Sequence, residues 1–288
     1  HEWRSIFAFG SYSSLAALIT DLRNTSPDLI LGRILGFEAV GLYSRALGLL
    51  SIFNRLIMDG LYPVLLPTMS LKLRDGEDIG KYYVQGLEYI TSIYWPFLLF
   101  VAVMAKPVIL LLLGDQWIGA APLVWPLCLA TGVGFMSFMH QPILISLGQV
   151  RQIVITNLFM SSTVIFSVLI GSMHSLQTVT MLAIPSSALN SIFVFLLLKR
   201  FISVSLIDVA YSVRKSVIVL IFTSLVLILI NEIGNDLGFS PGVFIILNIV
   251  PFGVVWLLAI FMTRHPITAE IRLVLAKLSR YIGKPNRP

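Results

Sequence analysis

Eight mostly apolar stretches, each long enough to cross a bilayer, are separated by short clusters of charged and turn-forming residues. They lie near residues 6–31, 39–68, 85–113, 120–147, 153–171, 176–198, 213–231 and 242–263. About 20 apolar residues suffice for a helix to cross the hydrocarbon, where no water meets unpaired amides, so only helices and closed barrels are viable. The runs are continuous and lack the period-two alternation of barrel strands. An all-α polytopic membrane helical bundle is therefore expected over residues 1–264, followed by a tail over 265–288. Composition agrees: 57% of residues are hydrophobic and 12% charged, against roughly 25% charged in soluble domains, and mean hydropathy is +0.91. The single cysteine, Cys128, lies in an apolar run and reads as a core residue. It excludes a disulfide framework, a paired-thiol motif and a cysteine zinc cluster.

The basic residues sort by side. Arg4; Lys72, Arg74 and Lys81; Arg151; Lys199, Arg200, Arg214 and Lys215; and the tail from Arg264 to Arg287 all fall on one side of the alternating spans. The connections on the other side, around 114–119, 171–175 and 231–240, hold no lysine or arginine. The positive-inside rule makes the basic side cytoplasmic and puts both termini of this chain there. Topology thus accounts for most of the formal +6 charge, and nucleic acid is not implied. From Pro266 to Ile282 the tail places Ile267, Ile271, Val274, Leu275, Leu278 and Ile282 on one helical face. That pattern fits an amphipathic helix on anionic membrane lipids or a plain basic extension, and both readings stand.

Charged residues are costly in hydrocarbon and usually face a cavity or a partner. Here they concentrate in the first two spans: Asp21, Arg23, Asp28, Arg33, Arg45, Arg55 and Asp59. Asp21 and Asp28 share a helix face with Thr25 between them, and Arg23 points elsewhere. Arg55 and Asp59 have the spacing of an intrahelical ion pair. The arginines either face a cavity, where diphosphate suits guanidinium donors, or form interspan salt bridges. His140, just before Pro142, is expected to serve backbone carbonyls that the proline frees. Serines 161, 162, 186 and 187 and the Gly32/Gly36 pair read as close-packing positions. Trp95, Trp117, Trp125, Trp256, Tyr82 and Tyr83 read as interfacial belt residues. No phosphate-binding glycine loop, metal-ligand cluster or nucleophile motif occurs, so no catalytic site, metal or cofactor is expected.

Several stretches, in order, resemble the polysaccharide-export branch of the multidrug/oligosaccharidyl-lipid/polysaccharide exporter superfamily, the O-antigen and colanic-acid type flippases. They are Asp28-Leu-Ile-Leu-Gly32-Arg33-Ile-Leu-Gly36, Val40-Gly41-Leu-Tyr43-Ser-Arg45-Ala46, Tyr62-Pro63-Val-Leu-Leu-Pro67-Thr-Met-Ser70, Gly114-Asp115-Gln116-Trp117 and Ala120-Ala121-Pro122. The resemblance runs from about residue 5 to 150; beyond that only span count and topology agree. It implies the C-terminal lobe of a two-lobed transporter with about fourteen spans, which moves undecaprenyl-diphosphate-linked oligosaccharide repeat units across the bacterial inner membrane by alternating access. The chain starts at His1 directly before a span, so the N-terminal lobe is expected to be missing from this sequence. Arg23, Arg45 and Arg55 are the expected substrate-binding residues, and Asp21, Asp28 and Asp59 the expected ion-coupling or charge-balancing ones. The rival expectations are a cation-coupled multidrug exporter of the same superfamily, a membrane glycan polymerase or ligase, and a non-transporting scaffold.

Overall fold

A computed structural model describes residues 2–53, 59–236 and 240–268. Among them no strand occurs, and the chain is a succession of helices. These are α1 (Glu2–Ile34), α2 (Phe37–Phe53), α3 (Asp59–Arg74), α4 (Ile79–Val103), α5 (Ala105–Leu112), α6 (Ala121–Val133), α7 (His140–Ser146), α8 (Val150–Ser172), α9 (Leu176–Leu198), α10 (Leu206–Asp236) and α11 (Pro241–Met262). Short 3-10 turns, Asp115–Ala120 and Gly134–Ser137, flank α6.

Six stretches among the described residues are long and apolar enough to cross a membrane: α4, Asp115–Ser146, α8, α9, Leu206–Glu232 and α11. They correspond to the last six expected spans, and the fold is a polytopic all-α membrane bundle. The first expected span is α1, whose 33 residues reach about 50 Å at 1.5 Å per residue but whose polar side chains lower its mean hydropathy. The second falls on α2 and α3, with residues 54–58 between them outside the described set. Helix α10 starts earlier than expected, at Leu206, so Arg214 and Lys215 stand on a helix rather than in a loop. Ser205 and Asp208 explain the early start, since each side chain accepts a hydrogen bond from the other's backbone amide, at 3.1 and 2.8 Å, a reciprocal cap.

Two expected spans are broken, each just ahead of a proline. Pro107 has no N–H to offer the carbonyl of Val103, and α4 ends there, with α5 restarting at Ala105. Pro142 likewise follows the interruption between α6 and α7.

Close contacts sort the connections into two ends of the bundle. At one end the start of α4 meets the α9–α10 connection, where a Cβ on Gly80 would lie 2.4 Å from the Ser203 carbonyl oxygen. Lys215 of α10 also donates to the Arg264 carbonyl beyond α11, at 3.0 Å. At the other end Gly242 at the start of α11 faces Leu111 of α5, and Gly119 faces Leu42 of α2. The α1–α2 turn belongs to this second end: Leu35 and Gly36 both donate to the Leu31 carbonyl, and Gly36 takes the left-handed conformation, φ 90°, that closes such a helix end. Gly36 is thus a turn residue rather than a packing one, whereas Gly32 does lie against Val40.

The α8–α9 hairpin depends on Gly171, where a Cβ would come 2.6 Å from the Val179 Cα. Gly171→Ala is expected to destabilise the bundle by roughly 1–3 kcal/mol, read as a lower melting temperature in detergent. His265, beyond α11, is fully buried. Burial, helped by the charge of Lys215, pushes its imidazole down to about 4. Its neutral form, which accepts from the Ile267 amide, is therefore favoured by the fold. That stabilisation is complete above the ordinary histidine range and is lost as pH falls from about 6.5 toward 4. Protection from hydrogen exchange at the α10–α11 base, taken relative to the intrinsic exchange rate at each pH, should fall between pH 7.5 and 4.5, and His265→Asn should flatten that fall.

Candidate functional site

Helix α1 has three faces, and their chemistry differs. Ala16, Ile19, Ser26, Pro27 and Leu31 are buried. Leu15, Leu18, Leu22 and Leu29 form an exposed apolar stripe. Between them runs a second exposed stripe of Gly10, Ser14, Ala17, Asp21, Asn24, Thr25 and Asp28, positions that share one side at roughly 100° per residue. The leucine stripe suits lipid. The polar stripe does not, because carboxylates and amides facing hydrocarbon would lose their water without replacement. Asp21 and Asp28 stand on this stripe, as their spacing implied, and neither joins an ion pair among the described residues.

Arg23 turns the other way, toward α8. Its side chain is half-buried, and Nη1 lies 3.8 Å from the Met160 sulfur. Around it α1 and α8 are joined by polar contacts: Asn157 donates to the Ala16 carbonyl at 3.2 Å and to the Thr20 hydroxyl at 3.1 Å, and Ser161 donates to the Ile19 carbonyl at 3.2 Å. Thr163 of α8 donates in turn to Asn190 of α9 at 2.8 Å. His140 lies within electrostatic reach of Arg23, so one guanidinium, one imidazole and a ladder of amides and hydroxyls meet where α1, α7 and α8 converge.

Arg45 is exposed on α2, with its guanidinium 4.7 Å from the Trp117 ring centre. The same indole lies on Gly41, where a Cβ would come within 3.0 Å of it. Two stretches far apart in the chain thus form one contact, an exposed cation held over an aromatic face. Arg55 lies outside the described residues; Asp59 opens α3, with its side chain outside them as well. Arg23 and Arg45 therefore have separate surroundings. The described ion pairs, Lys72–Glu77 and Lys215–Glu88, involve neither of the first two helices.

The interruption between α6 and α7 is closed by four side chains from three helices, α4, α7 and α9. Trp95 Nε1 donates to the Gly132 carbonyl at 3.0 Å, Ser191 to Val133 at 2.8 Å and the Tyr83 hydroxyl to Met136 at 3.0 Å. His140 Nδ1 meets the Ser137 carbonyl at 2.5 Å. A carbonyl only accepts, so Nδ1 carries the proton and Nε2 is left as a buried acceptor on the side of Asn157. A similar patch serves α4, where Pro96 leaves the Ser92 carbonyl open and Trp256 Nε1 donates to it at 2.9 Å. The belt role expected for Trp95, Trp256 and Tyr83 is thus replaced by carbonyl capping inside the bundle, because freed acceptors there have no water to turn to. Trp125 is partly exposed and, with Trp95, Leu98, Leu129, Phe135 and Ile192, lines an apolar cavity of about 680 Å³ between α4, α6, α9 and α10. Cys128 is buried in its wall.

Sequence reasoning had named Ser161 as a packing residue and missed Asn157, Thr20 and Asn190. For Asn157 and Asn190 the one available signal was an amide in an apolar span; Thr20, in the charged first helix, offered none.

Comparison with known proteins follows the same stretch. The profile of a family described as "Polysaccharide biosynthesis protein" matches residues 1–122. The succinoglycan biosynthesis transport protein ExoT of Rhizobium meliloti (strain 1021) is 30% identical over 129 residues, 45% of this chain and 26% of that protein. An uncharacterized membrane protein in the cps region of Klebsiella pneumoniae is 26% identical over 142 residues, 49% of this chain and 29% of that protein. The chain therefore matches less than a third of the length of these relatives. No solved structure matches it. The resemblance to polysaccharide biosynthesis and export membrane proteins is borne out, at low identity, over the N-terminal part that contains α1, α2 and Trp117.

Tyr83→Phe should leave the Met136 carbonyl unpaired and cost about 1–3 kcal/mol, measured as a fall in detergent melting temperature with the helical content unchanged at room temperature.

Proposed function

We propose that this chain lines the substrate path of a polysaccharide-transport membrane protein of the bacterial inner membrane. It moves undecaprenyl-diphosphate-linked oligosaccharide repeat units between leaflets by alternating access, together with an N-terminal lobe, and catalyses no bond-making step. The observation that carries the reading is the exposed polar stripe of α1. Ser14, Asp21, Asn24, Thr25 and Asp28 are exposed on a helix long enough to cross the membrane, and such a stripe is tolerated where it faces water or a ligand. Sugar hydroxyls match its carboxylates, amide and hydroxyls.

Arg45 is the first candidate for the diphosphate, because it is exposed and its guanidinium can form paired bonds to phosphate oxygens while resting on Trp117. Arg55 joins it in this reading. Arg23 supports the path from behind, through the α1–α8 seam. Asp21, Asp28 and Asp59 balance these charges or hold a coupling ion. The apolar cavity between α4, α6, α9 and α10 is a suitable place for part of the isoprenoid chain. The basic end of the bundle, where Gly80 meets Ser203 and Lys215 meets Arg264, is its cytoplasmic end.

A second reading, a cation-coupled multidrug exporter, draws support from the exposed carboxylates Asp21 and Asp28. In proteoliposomes holding the complete transporter, Arg45→Ala should slow translocation of a diphosphate-linked glycan at least roughly tenfold, about 1.4 kcal/mol. Asp21→Asn combined with Asp28→Asn should slow it too, and Leu18→Ala on the lipid side should leave it unchanged. Uptake of lipophilic cations that depends on Asp21 and Asp28, with no glycan movement, would establish the second reading instead.

A further inference from the structure

A second pocket, of about 380 Å³, opens at the basic end of the bundle, away from α1. Its walls come from Val84 and Glu88 of α4, from Ile207, Asp208, Tyr211, Ser212, Arg214 and Lys215 of α10, and from Pro266 beyond α11. Packing of α10 on α4 holds the pocket open: Thr91 and Ser216 hydroxyls meet at 2.9 Å, and Lys215 spans from the Arg264 carbonyl at 3.0 Å to the Glu88 carboxylate at 4.0 Å. Arg214 lies with its guanidinium 3.4 Å from the Tyr211 ring centre and has no ion-pair partner among the described residues. Asp208 keeps one carboxylate oxygen on Ser205.

The lining therefore carries two cations and two carboxylates, which sum to zero: Asp208 shares α10 with both cations, and Glu88 faces them from α4. Glu88 contributes from α4, and the arginine and lysine from the inner turns of α10. Ile207 and Tyr211 of the lining are 78% and 62% exposed, and Leu206 at the start of the same helix is 59% exposed, so large apolar side chains stand open at the first turns of a membrane-length helix. A complementary ligand needs an anionic group, an ammonium a few ångströms away and an apolar body. A pocket of this volume holds a small headgroup.

We propose that this pocket binds a zwitterionic membrane phospholipid with a primary ammonium headgroup. Its phosphate lies on Arg214 and Lys215, its ammonium on Glu88 and the second oxygen of Asp208, and its acyl chains along Leu206, Ile207 and Tyr211. Tyr211 serves twice, fixing the guanidinium by stacking and covering the chains with its ring. The lipid then seals the α4–α10 junction at the membrane surface. This site is independent of the substrate path proposed above.

The test is native mass spectrometry of the full chain in detergent, titrated with phosphatidylethanolamine, phosphatidylcholine and phosphatidylglycerol of identical acyl chains. The ethanolamine lipid should be retained best, by several-fold. Arg214→Ala with Lys215→Ala should weaken it roughly tenfold, a loss of 1.4 kcal/mol, and Arg214→Lys should retain most of the binding. Glu88→Gln should bring the ethanolamine and choline lipids level, because only the former has N–H groups to give the carboxylate. Equal retention of the three lipids by the native sequence, or preference for the glycerol lipid, would overturn the proposal even if a variant failed to fold. So would a preference for ethanolamine that survives all three substitutions.

Discussion

In hydrocarbon a backbone carbonyl without a donor has no water to fall back on, and the described bundle meets that demand with side chains at the α6–α7 interruption and within α4. Pro107 and Pro142 each follow a helix break, and Pro96 leaves an open carbonyl within α4. The donors that close the openings at Ser92, Gly132, Val133, Met136 and Ser137 come from Trp256, Trp95, Ser191, Tyr83 and His140. Four of those five reach in from another helix. Irregular backbone thus becomes a cross-linking device, tying α4 and α9 to the α6–α7 interruption and α11 to α4. Burial of apolar area contributes little directional information here, since lipid is as apolar as the core.

Charge on α1 is divided by the same economy of solvation. One side carries Arg23, Thr20 and the carbonyls of Ala16 and Ile19, and each of the last three has a partner on α8. The opposite side carries Asp21, Asn24 and Asp28 without such partners among the described helices. Partnered polar groups make an interface and unpartnered ones require an aqueous or ligand surface, so a single helix joins a structural seam to the proposed path. Arg45 over Trp117 adds a cation at the end of the bundle where α2 meets the Asp115–Ala120 turn. That contact brings together two of the stretches that carried the family resemblance.

Fold class and the positions of the last six spans were legible in the sequence, because hydropathy acts residue by residue. So was the common face of Asp21 and Asp28, which follows from helical spacing; His140 does serve a backbone carbonyl, but that of Ser137 at the helix break rather than that of Phe138, the one Pro142 frees. For Trp95 and Trp256, read as belt residues, the structure adds a carbonyl-capping role that the sequence did not reveal. An indole suits a membrane interface and an open carbonyl equally well, and nothing local to Trp95 or Trp256 identifies the acceptor, 37 or 164 residues away. The Asn157 contacts with α1 lie across a similar separation, and a lone amide in an apolar run does not say which helix it meets.

The sequence by itself determined that this chain is a membrane-embedded helical bundle with its charges concentrated in α1 and α2, since the free energy of transferring each side chain into lipid is nearly independent of its neighbours. Only the tertiary structure decided which charges are buried against α8 and which lie open, which tryptophan closes which carbonyl, and that Glu88, Arg214 and Lys215 line one pocket. Those outcomes depend on pairwise distances between helices far apart in the chain, and hydrogen bonds and ion pairs exist only where packing brings both partners within reach.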